Sequence, residues 1–142
     1  NVASMRWDEI DGNIWTIPAE KFKATKREKA KAHEVPLSAE LLKIVAQMPK
    51  IGPYVFGPTG AKQLRLGSRE KDRLANRAEV SEWRLHDLRR TAATLMTEGK
   101  IPRFVVERVL GHADRSVTAV YDRASYRDEK LEALNQLAET VK

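Results

Sequence analysis

The chain has 142 residues, enough for one domain with its own hydrophobic core, and it contains no cysteine, which excludes disulfides and thiolate metal sites. Its net charge of +6 favours a polyanionic partner, with nucleic acid ahead of an anionic membrane surface. Apolar residues make up 42% of the sequence, but no apolar run is long enough to span a membrane.

The N-terminal third predicts a short β-hairpin with a basic tip. Apolar residues among the first ten are spaced like the end of a helix. Residues 14–18 are β-branched and aromatic and predict a strand, and residues 33–37 predict the returning strand. Between them, residues 21–31 carry six lysines and arginines against one glutamate. We therefore expect an antiparallel hairpin that presents positive charge.

The next segment predicts two helices separated by a loop. Ser38 is a good N-cap, and Pro49 ends the apolar helical stripe that follows it. Residues 60–79 are rich in arginine and lysine, and they predict a loop followed by a solvated helix from about Ser68 to Ala78.

The second half of the chain is predicted to be helical. One helix spans residues 86–98, with Gly99 as its C-cap. The next begins near Pro102 and is closed by Gly111, and a short helix follows from Asp114 or Ser116. The last helix, from Arg127 to Val141, shows an apolar stripe of Leu131, Leu134, Leu137 and Val141. The fold class is therefore mainly α with a small antiparallel β-hairpin or sheet (α+β), in one domain over residues 1–142.

His86 and Arg89 are the first candidate functional pair. At i and i+3 on a helix they share a face. A guanidinium offers a planar fork of donors that matches two phosphate oxygens, and a helix N-terminus adds N–H groups and the positive end of a dipole. The pair fits a phosphate clamp, and the alternative is a surface histidine beside a salt-bridged arginine.

His112 and Tyr121 are the second candidate pair. His112 follows the helix-ending Gly111, and Tyr121 comes nine residues later. A phenol is a poor nucleophile at neutral pH unless cationic donors stabilise the phenolate, and an arginine and histidine cluster around a phosphate does that. Each residue taken singly also fits a structural role, and Tyr126 is interpreted as a packing residue. Zinc is disfavoured because His33, His86 and His112 are far apart in sequence.

Taken together, the motifs resemble those of one family, the tyrosine recombinases or phage-type integrases. The resemblance rests on His86-Asp87-Leu88-Arg89, on Leu110-Gly111-His112 and on Tyr121 at its spacing. Arg6-Trp7 and Val35-Pro36-Leu37-Ser38 also look like integrase segments in the right order, so the resemblance covers almost the whole chain.

The resemblance implies a role for each site residue. Tyr121 is the nucleophile that forms a 3′-phosphotyrosyl bond, and Arg89 clamps the scissile phosphate. His86 and His112 hydrogen-bond the phosphate and assist proton transfer. Lys23 matches the hairpin lysine that protonates the leaving 5′ oxygen, with Lys26 as the runner-up. Neither a metal nor another cofactor is implied.

One departure from the family pattern concerns the first catalytic arginine. That arginine is expected about three residues before Asn1, and Asn1 stands where an acidic residue is usual. Arg6 matches a later motif and does not replace it. We therefore expect a catalytic domain without its N-terminal edge and without the core-binding domain that precedes it in the family.

The expected function is site-specific DNA recombination or integration, with double-stranded DNA as the partner. A type IB topoisomerase and a non-catalytic, DNA-binding integrase remnant remain open. The resemblance also implies self-association on DNA through the C-terminal helix, with packing onto the chain's own core as the alternative. No membrane role is expected. The implied location is the cytoplasm of a bacterial host, at the nucleoid when DNA is bound, and the implied source is a phage or mobile element.

Overall fold

The computed structural model describes residues 1–22, 32–59, 61–65, 67–111 and 126–141. The fold is mainly α with a small three-stranded antiparallel sheet, as the sequence predicts. The strands are β1 (Ile10–Asp11), β2 (Ile14–Ile17) and β3 (His33–Pro36), and the helices in the described part are α1 (Ala39–Ala46), α2 (Ser68–Ala78), α3 (Leu85–Glu98), α4 (Arg103–Val109) and α5 (Arg127–Thr140).

The predicted hairpin strands pair with each other, and the sheet order is β1-β2-β3. Gly12 has a φ of +55° and makes the tight turn between β1 and β2. The strand β1 was not predicted from the sequence. Trp15 and Ile17 alternate onto the buried face of β2. This alternation fixes the register that places Glu34 opposite Thr16, since a slip by one residue would expose both apolar side chains.

The extreme N-terminus forms two short 3-10 turns, Val2–Ser4 and Trp7–Glu9, rather than the predicted end of an α-helix. Arg6 interrupts the helical path because it forms an isolated β-bridge with Tyr54. Its backbone is therefore held extended, and the apolar residues of this segment pack from short turns and not from an α-helix.

A first core cluster lies between the sheet and α1. It consists of Met5, Trp15, Ile17, Leu37, Val45 and Val55, with further apolar side chains packed around them. Ser38 caps α1 as predicted, since its hydroxyl accepts a hydrogen bond from the Leu41 N–H at 3.3 Å. The predicted solvated helix is α2, whose bounds agree with the prediction and which contains no buried residue.

A second core cluster joins α3, α4 and α5, with Met96, Val105, Val106 and Ala133 at its centre. The C-terminal cap of α3 is Gly99, as the sequence predicts. Gly99 has a φ of −70°, and the left-handed residue is the next one, Lys100, with a φ of +61°. A side chain at Gly99 would crowd α5, because a Cβ there would lie 2.6 Å from Nε2 of Gln136, which donates a hydrogen bond to the Gly99 carbonyl.

The buried face of α5 differs from the predicted leucine stripe. Lys130 and Ala133 are the fully buried residues of α5, Leu137 packs at the edge of the second cluster, and Val141 is 64% exposed. The helix contacts β3, α4 and α3. Intramolecular packing therefore uses a face centred on Lys130 and Ala133, which the leucine spacing does not indicate.

Replacing Met96 by alanine tests how much of the fold depends on the second cluster. Met96 is 1% exposed, so the substitution should lower the free energy of unfolding by roughly 2–5 kcal/mol. Urea unfolding followed by circular dichroism measures this loss. The matched variant is Met48→Ala, at the rim of the first cluster, which should cost about 1 kcal/mol. Equal losses in both variants would contradict the central position of Met96.

Candidate functional site

The first turn of α3 carries the predicted pair His86 and Arg89. The helix begins at Leu85, and its start is fixed by Asp87, whose carboxylate accepts a hydrogen bond from the Arg84 N–H at 2.8 Å. An acid in the first helical turn is also favoured by the helix dipole. His86 and Arg89 are therefore held one turn apart, with His86 exposed and Arg89 half-buried.

Arg89 connects α3 to the end of α4. Its Nη2 atom donates a hydrogen bond to the carbonyl oxygen of Leu110 at 2.5 Å. Gly111 follows with a φ of +65°, so the chain turns away from α4 directly after this contact. The structure thus brings the two sequence motifs together: the His86-to-Arg89 motif touches the Leu110-Gly111 part of the second motif.

His33, at the start of β3, lies on the other side of that turn. A Cβ at Gly111 would be 3.4 Å from Nε2 of His33, so the imidazole faces the glycine with room for about one methyl group between them. The imidazole also meets the Phe22 ring edge-on at 6.2 Å between centroids. The backbone of Val109, the last residue of α4, is close enough to act on the imidazole.

Burial and nearby cations lower the pKa of His33. Burial is the largest cause, and the positive charges of Lys130 and Arg89 act in the same direction. The backbone of Val109 and the carboxylate of Glu34 oppose this lowering of the pKa without cancelling it. His33 therefore favours its neutral form in the fold.

Glu34, the next residue of β3, receives three contacts from the start of α5. Arg127 makes a bidentate pair with the Glu34 carboxylate, with both N···O distances at 2.7 Å. The Nζ of Lys130 donates to the Glu34 carbonyl oxygen, also at 2.7 Å. Lys130 is 5% exposed, and burial lowers its pKa. The hydrogen bond to Arg127 lowers the pKa of Glu34.

Of the predicted site residues, His86 and Arg89 lie in the described part of the chain, and Lys23, Lys26, His112 and Tyr121 lie outside it. The short helix predicted from Asp114 or Ser116 is also outside. The nearest described neighbours are informative, because Phe22, Gly111 and Arg127 all contact His33 or Glu34.

Two residues close to the predicted site have structural partners. Lys21 makes an ion pair of 2.6 Å with Glu9 and donates to the Ser4 carbonyl oxygen, which anchors the end of the first hairpin strand to the N-terminal segment. Tyr126 packs its ring against Phe104, at 5.6 Å between centroids, and lies beneath the Arg108 guanidinium. The interpretation of Tyr126 as a packing residue agrees with these contacts.

Sequence reasoning missed His33, Glu34 and Lys130. His33 entered only as a weak zinc candidate, and within the described residues no group of His, Asp or Glu side chains is arranged to hold a metal ion. The available signal was a cation pair, Arg127 and Lys130, one turn apart on α5. Its acidic partner is distant in the sequence, so the spacing alone did not reveal it.

Comparison with known proteins defines the class. A family model described as the phage integrase family matches residues 1–128. The chain therefore belongs to the phage integrase family, whose members are tyrosine recombinases. Site-specific DNA recombination is the function that this membership supports, and DNA is its partner. No curated protein and no solved structure matched the chain. None of the described helices has the length and apolar character needed to cross a membrane.

The lowered pKa of His33 predicts a pH dependence of stability. Between the ordinary pKa of 6.5 and the lower folded value, the unfolded chain binds a proton that the folded chain does not. The free energy of unfolding should therefore fall as the pH drops through this window. Urea midpoints measured between about pH 7.5 and 5.5 should show this fall, and His33→Gln should reduce it.

Glu34→Gln provides the control for this pH series. The pKa of Glu34 is lowered from 4.5, so its stabilising effect is present above 4.5 and is lost as the pH falls through the folded value. This variant should keep the fall near pH 6 and lose part of the fall at more acidic pH. If His33→Gln retained the whole fall near pH 6, the interpretation of His33 would be wrong.

Proposed function

We propose that this chain is the catalytic domain of a site-specific recombinase that cuts and rejoins DNA through a 3′-phosphotyrosyl intermediate. The Tyr121 oxygen attacks the phosphorus of a DNA phosphodiester, and the 5′ oxygen leaves and takes up a proton. A 5′ hydroxyl of the partner duplex then attacks the same phosphorus and releases Tyr121. The tyrosyl ester conserves the energy of the broken bond, so neither ATP nor a metal is required for rejoining.

The observation that carries this proposal is the hydrogen bond from Arg89 to Leu110. It places a guanidinium where α4 ends, two residues before His112 in the sequence. A guanidinium has five N–H donors in a planar fork, and this contact occupies one edge of it. The remaining donors are available for the oxygens of a scissile phosphate, where negative charge builds up in the transition state.

Histidines complete the phosphate site in this proposal. His86 is solvent-exposed one helical turn before Arg89, on the face where an external phosphate would be met. His112 follows Gly111, whose left-handed turn directs the chain away from the end of α4. Both imidazoles supply hydrogen bonds to phosphate oxygens and assist proton transfer.

The hairpin lysine supplies the proton for the leaving oxygen. Lys23 is two residues beyond Lys21, whose ion pair with Glu9 and hydrogen bond to Ser4 fix the end of the first strand. Because the Lys21 ammonium group already makes these two structural contacts, we do not assign it the role of general acid. Lys23 is therefore the proposed general acid, and Lys26 is the second candidate.

We further propose that residues encoded before Asn1 supply the first arginine of the family pattern and the domain that clamps DNA from its other side. Recombination takes place at the bacterial nucleoid. Self-association on DNA uses the exposed C-terminal end of α5 together with Val141, which follows the helix and is 64% exposed, since Ala133 and Leu137 pack into the chain's own second cluster.

Replacing Tyr121 by phenylalanine tests the nucleophile. In the protein as it is encoded, Tyr121→Phe should abolish the covalent protein–DNA adduct, because the attacking oxygen is removed. Binding should stay within about threefold of wild type, because the ring is retained. The substrates are labelled duplexes selected from a random pool for binding, and adducts are counted on denaturing gels.

Tyr126→Phe is the matched control, because this tyrosine packs against Phe104 and Arg108. It should form adducts at the wild-type rate. An adduct that persists in Tyr121→Phe and disappears in Tyr126→Phe would assign the nucleophile to Tyr126. DNA binding without any adduct in the wild type would instead identify a DNA-binding remnant.

Replacing the hairpin lysines separates the two candidate acids. Lys23→Met should slow cleavage by about 10²–10⁴-fold on ordinary DNA, as expected for the loss of a general acid. A substrate with sulfur in place of the leaving 5′ oxygen needs no proton, so it should restore the cleavage rate of Lys23→Met. Lys43→Met, which removes an exposed lysine on α1, is the control. If the sulfur substrate restored the cleavage rate of Lys26→Met and not that of Lys23→Met, Lys26 would be the general acid.

A further inference from the structure

The two ends of the segment that contains Tyr121 meet on consecutive residues of one strand. Gly111, before the segment, packs against His33, and Arg127, after it, pairs with Glu34. These contacts lie far apart in sequence and next to each other in the fold. They are separate from the phosphate-binding groups, and the mechanism above does not use them.

The contact at the first end is close and specific. A Cβ at Gly111 would meet Nε2, Cδ2 and Cε1 of His33 at 3.4–3.6 Å, so the imidazole faces the glycine at the distance of one methyl group. The backbone of Val109, the last residue of α4, is also close enough to act on the imidazole. Arg89 donates a hydrogen bond to the carbonyl oxygen of Leu110. The chain just before His112 is therefore bounded by His33 and held by Arg89.

The contact at the second end combines an exposed charged pair with a partly buried hydrogen bond. Arg127 forms two parallel hydrogen bonds with the Glu34 carboxylate, a geometry that fixes direction as well as distance. Lys130, one turn later, donates from a buried position to the Glu34 carbonyl oxygen. Side chain and backbone of one strand residue thus hold the first turn of α5.

The strand that receives both ends, β3, is held in place by its pairing with β2. His33 pairs with Ile17 and Glu34 pairs with Thr16 in the β2–β3 ladder. Ile17 is 4% exposed in the first core cluster, and Ala133 of α5 is 2% exposed in the second. The strand residues that receive the two ends are consequently tied to both cores.

We propose that His33 and Glu34 are positioning residues, which together fix both ends of the nucleophile segment and so set the distance from Tyr121 to the phosphate held by Arg89. This inference rests on the proposed function. A nucleophile misplaced by about 1 Å loses about 10²-fold in rate, so a clamp that does not touch DNA still controls cleavage.

A charge-reversal series tests the Glu34 half of the clamp. Glu34→Arg and Arg127→Glu should each slow adduct formation at saturating DNA by about tenfold or more. The double variant should return the rate to within about threefold of wild type, because the pair is restored with its charges exchanged. Affinity for the duplex, measured at the same salt concentration, is recorded for every variant because the substitutions alter net charge.

The matched control is the exposed pair Arg103 and Glu107 on α4, which form an ion pair of 2.9 Å. Glu107→Arg, Arg103→Glu and their double variant make the same charge changes. They should leave the adduct rate at saturating DNA unchanged. If the two series behave alike, or if the Glu34 and Arg127 double variant is not restored, the clamp is overturned.

A pair of glycine variants tests the His33 half. Gly111 and Gly12 have φ values of +65° and +55°, so Gly111→Ala and Gly12→Ala suffer similar backbone strain. A Cβ at Gly12 meets nothing within 4 Å, whereas a Cβ at Gly111 lies against His33. Both variants should lower the urea midpoint similarly, and Gly111→Ala alone should slow adduct formation, because its strain falls at the first end of the nucleophile segment. Equal adduct rates would overturn the clamp at this first end.

A thiol probe makes the test independent of cleavage. The chain has no cysteine, so Tyr121→Cys introduces a single thiol, whose ordinary pKa is about 8.5. Its alkylation rate against pH, without DNA, should give a lower pKa in the intact clamp, because Arg89 and its cationic neighbours favour the thiolate. Glu34→Arg should raise that pKa and the double variant should restore it. Identical profiles in all three backgrounds would overturn the clamp.

These arms separate the two proposals. A wild-type protein that forms no adduct dependent on Tyr121 contradicts the proposed function, and the thiol titration still decides the clamp. A wild-type protein that forms the adduct, with Glu34→Arg as fast as wild type and the thiol profile unchanged, contradicts only the clamp.

Discussion

The attachment of α5 to β3 is the interaction on which the rest of the structure depends. Three hydrogen bonds of 2.7 Å join Arg127 and Lys130 to one residue, Glu34. Through them the second core, which contains Ala133, is held against the sheet that closes the first core. Without this attachment each core would retain its own packing, but the position of Arg89 relative to the hairpin would no longer be fixed by it.

Positive charge is concentrated around this attachment at an energetic cost. Arg89 and Lys130 both act on His33, which therefore favours its neutral form, and Lys130 is itself buried. Buried like charges disfavour folding unless an anion or a polar acceptor offsets them. Backbone carbonyl oxygens of Glu34 and Leu110 provide part of that compensation. In the site proposed above, a DNA phosphate would provide more of this compensation.

Much of the fold was predictable from local patterns. Ser38 as a cap and α2 from Ser68 to Ala78 agree with the prediction, because caps and charged helices are encoded within a few neighbouring residues. The buried face of α5 was not predictable from its leucines, because the acceptor that makes burial of Lys130 tolerable is 96 residues away. Similarly, His86 and Arg89 could be identified from their spacing in the sequence. The positioning role proposed for His33 could not, because it depends on long-range packing.

The two hydrophobic cores follow one another along the chain without overlap. Every member of the first lies between Met5 and Phe56, and every member of the second lies between Ala93 and Leu137. During synthesis the first core can therefore close while the second is still being made. Arg127 and Lys130 are added near the end of the second, so the segment with Tyr121 gains its second anchor late. A nascent chain can thus hold a folded sheet well before the contacts proposed to position Tyr121 are complete.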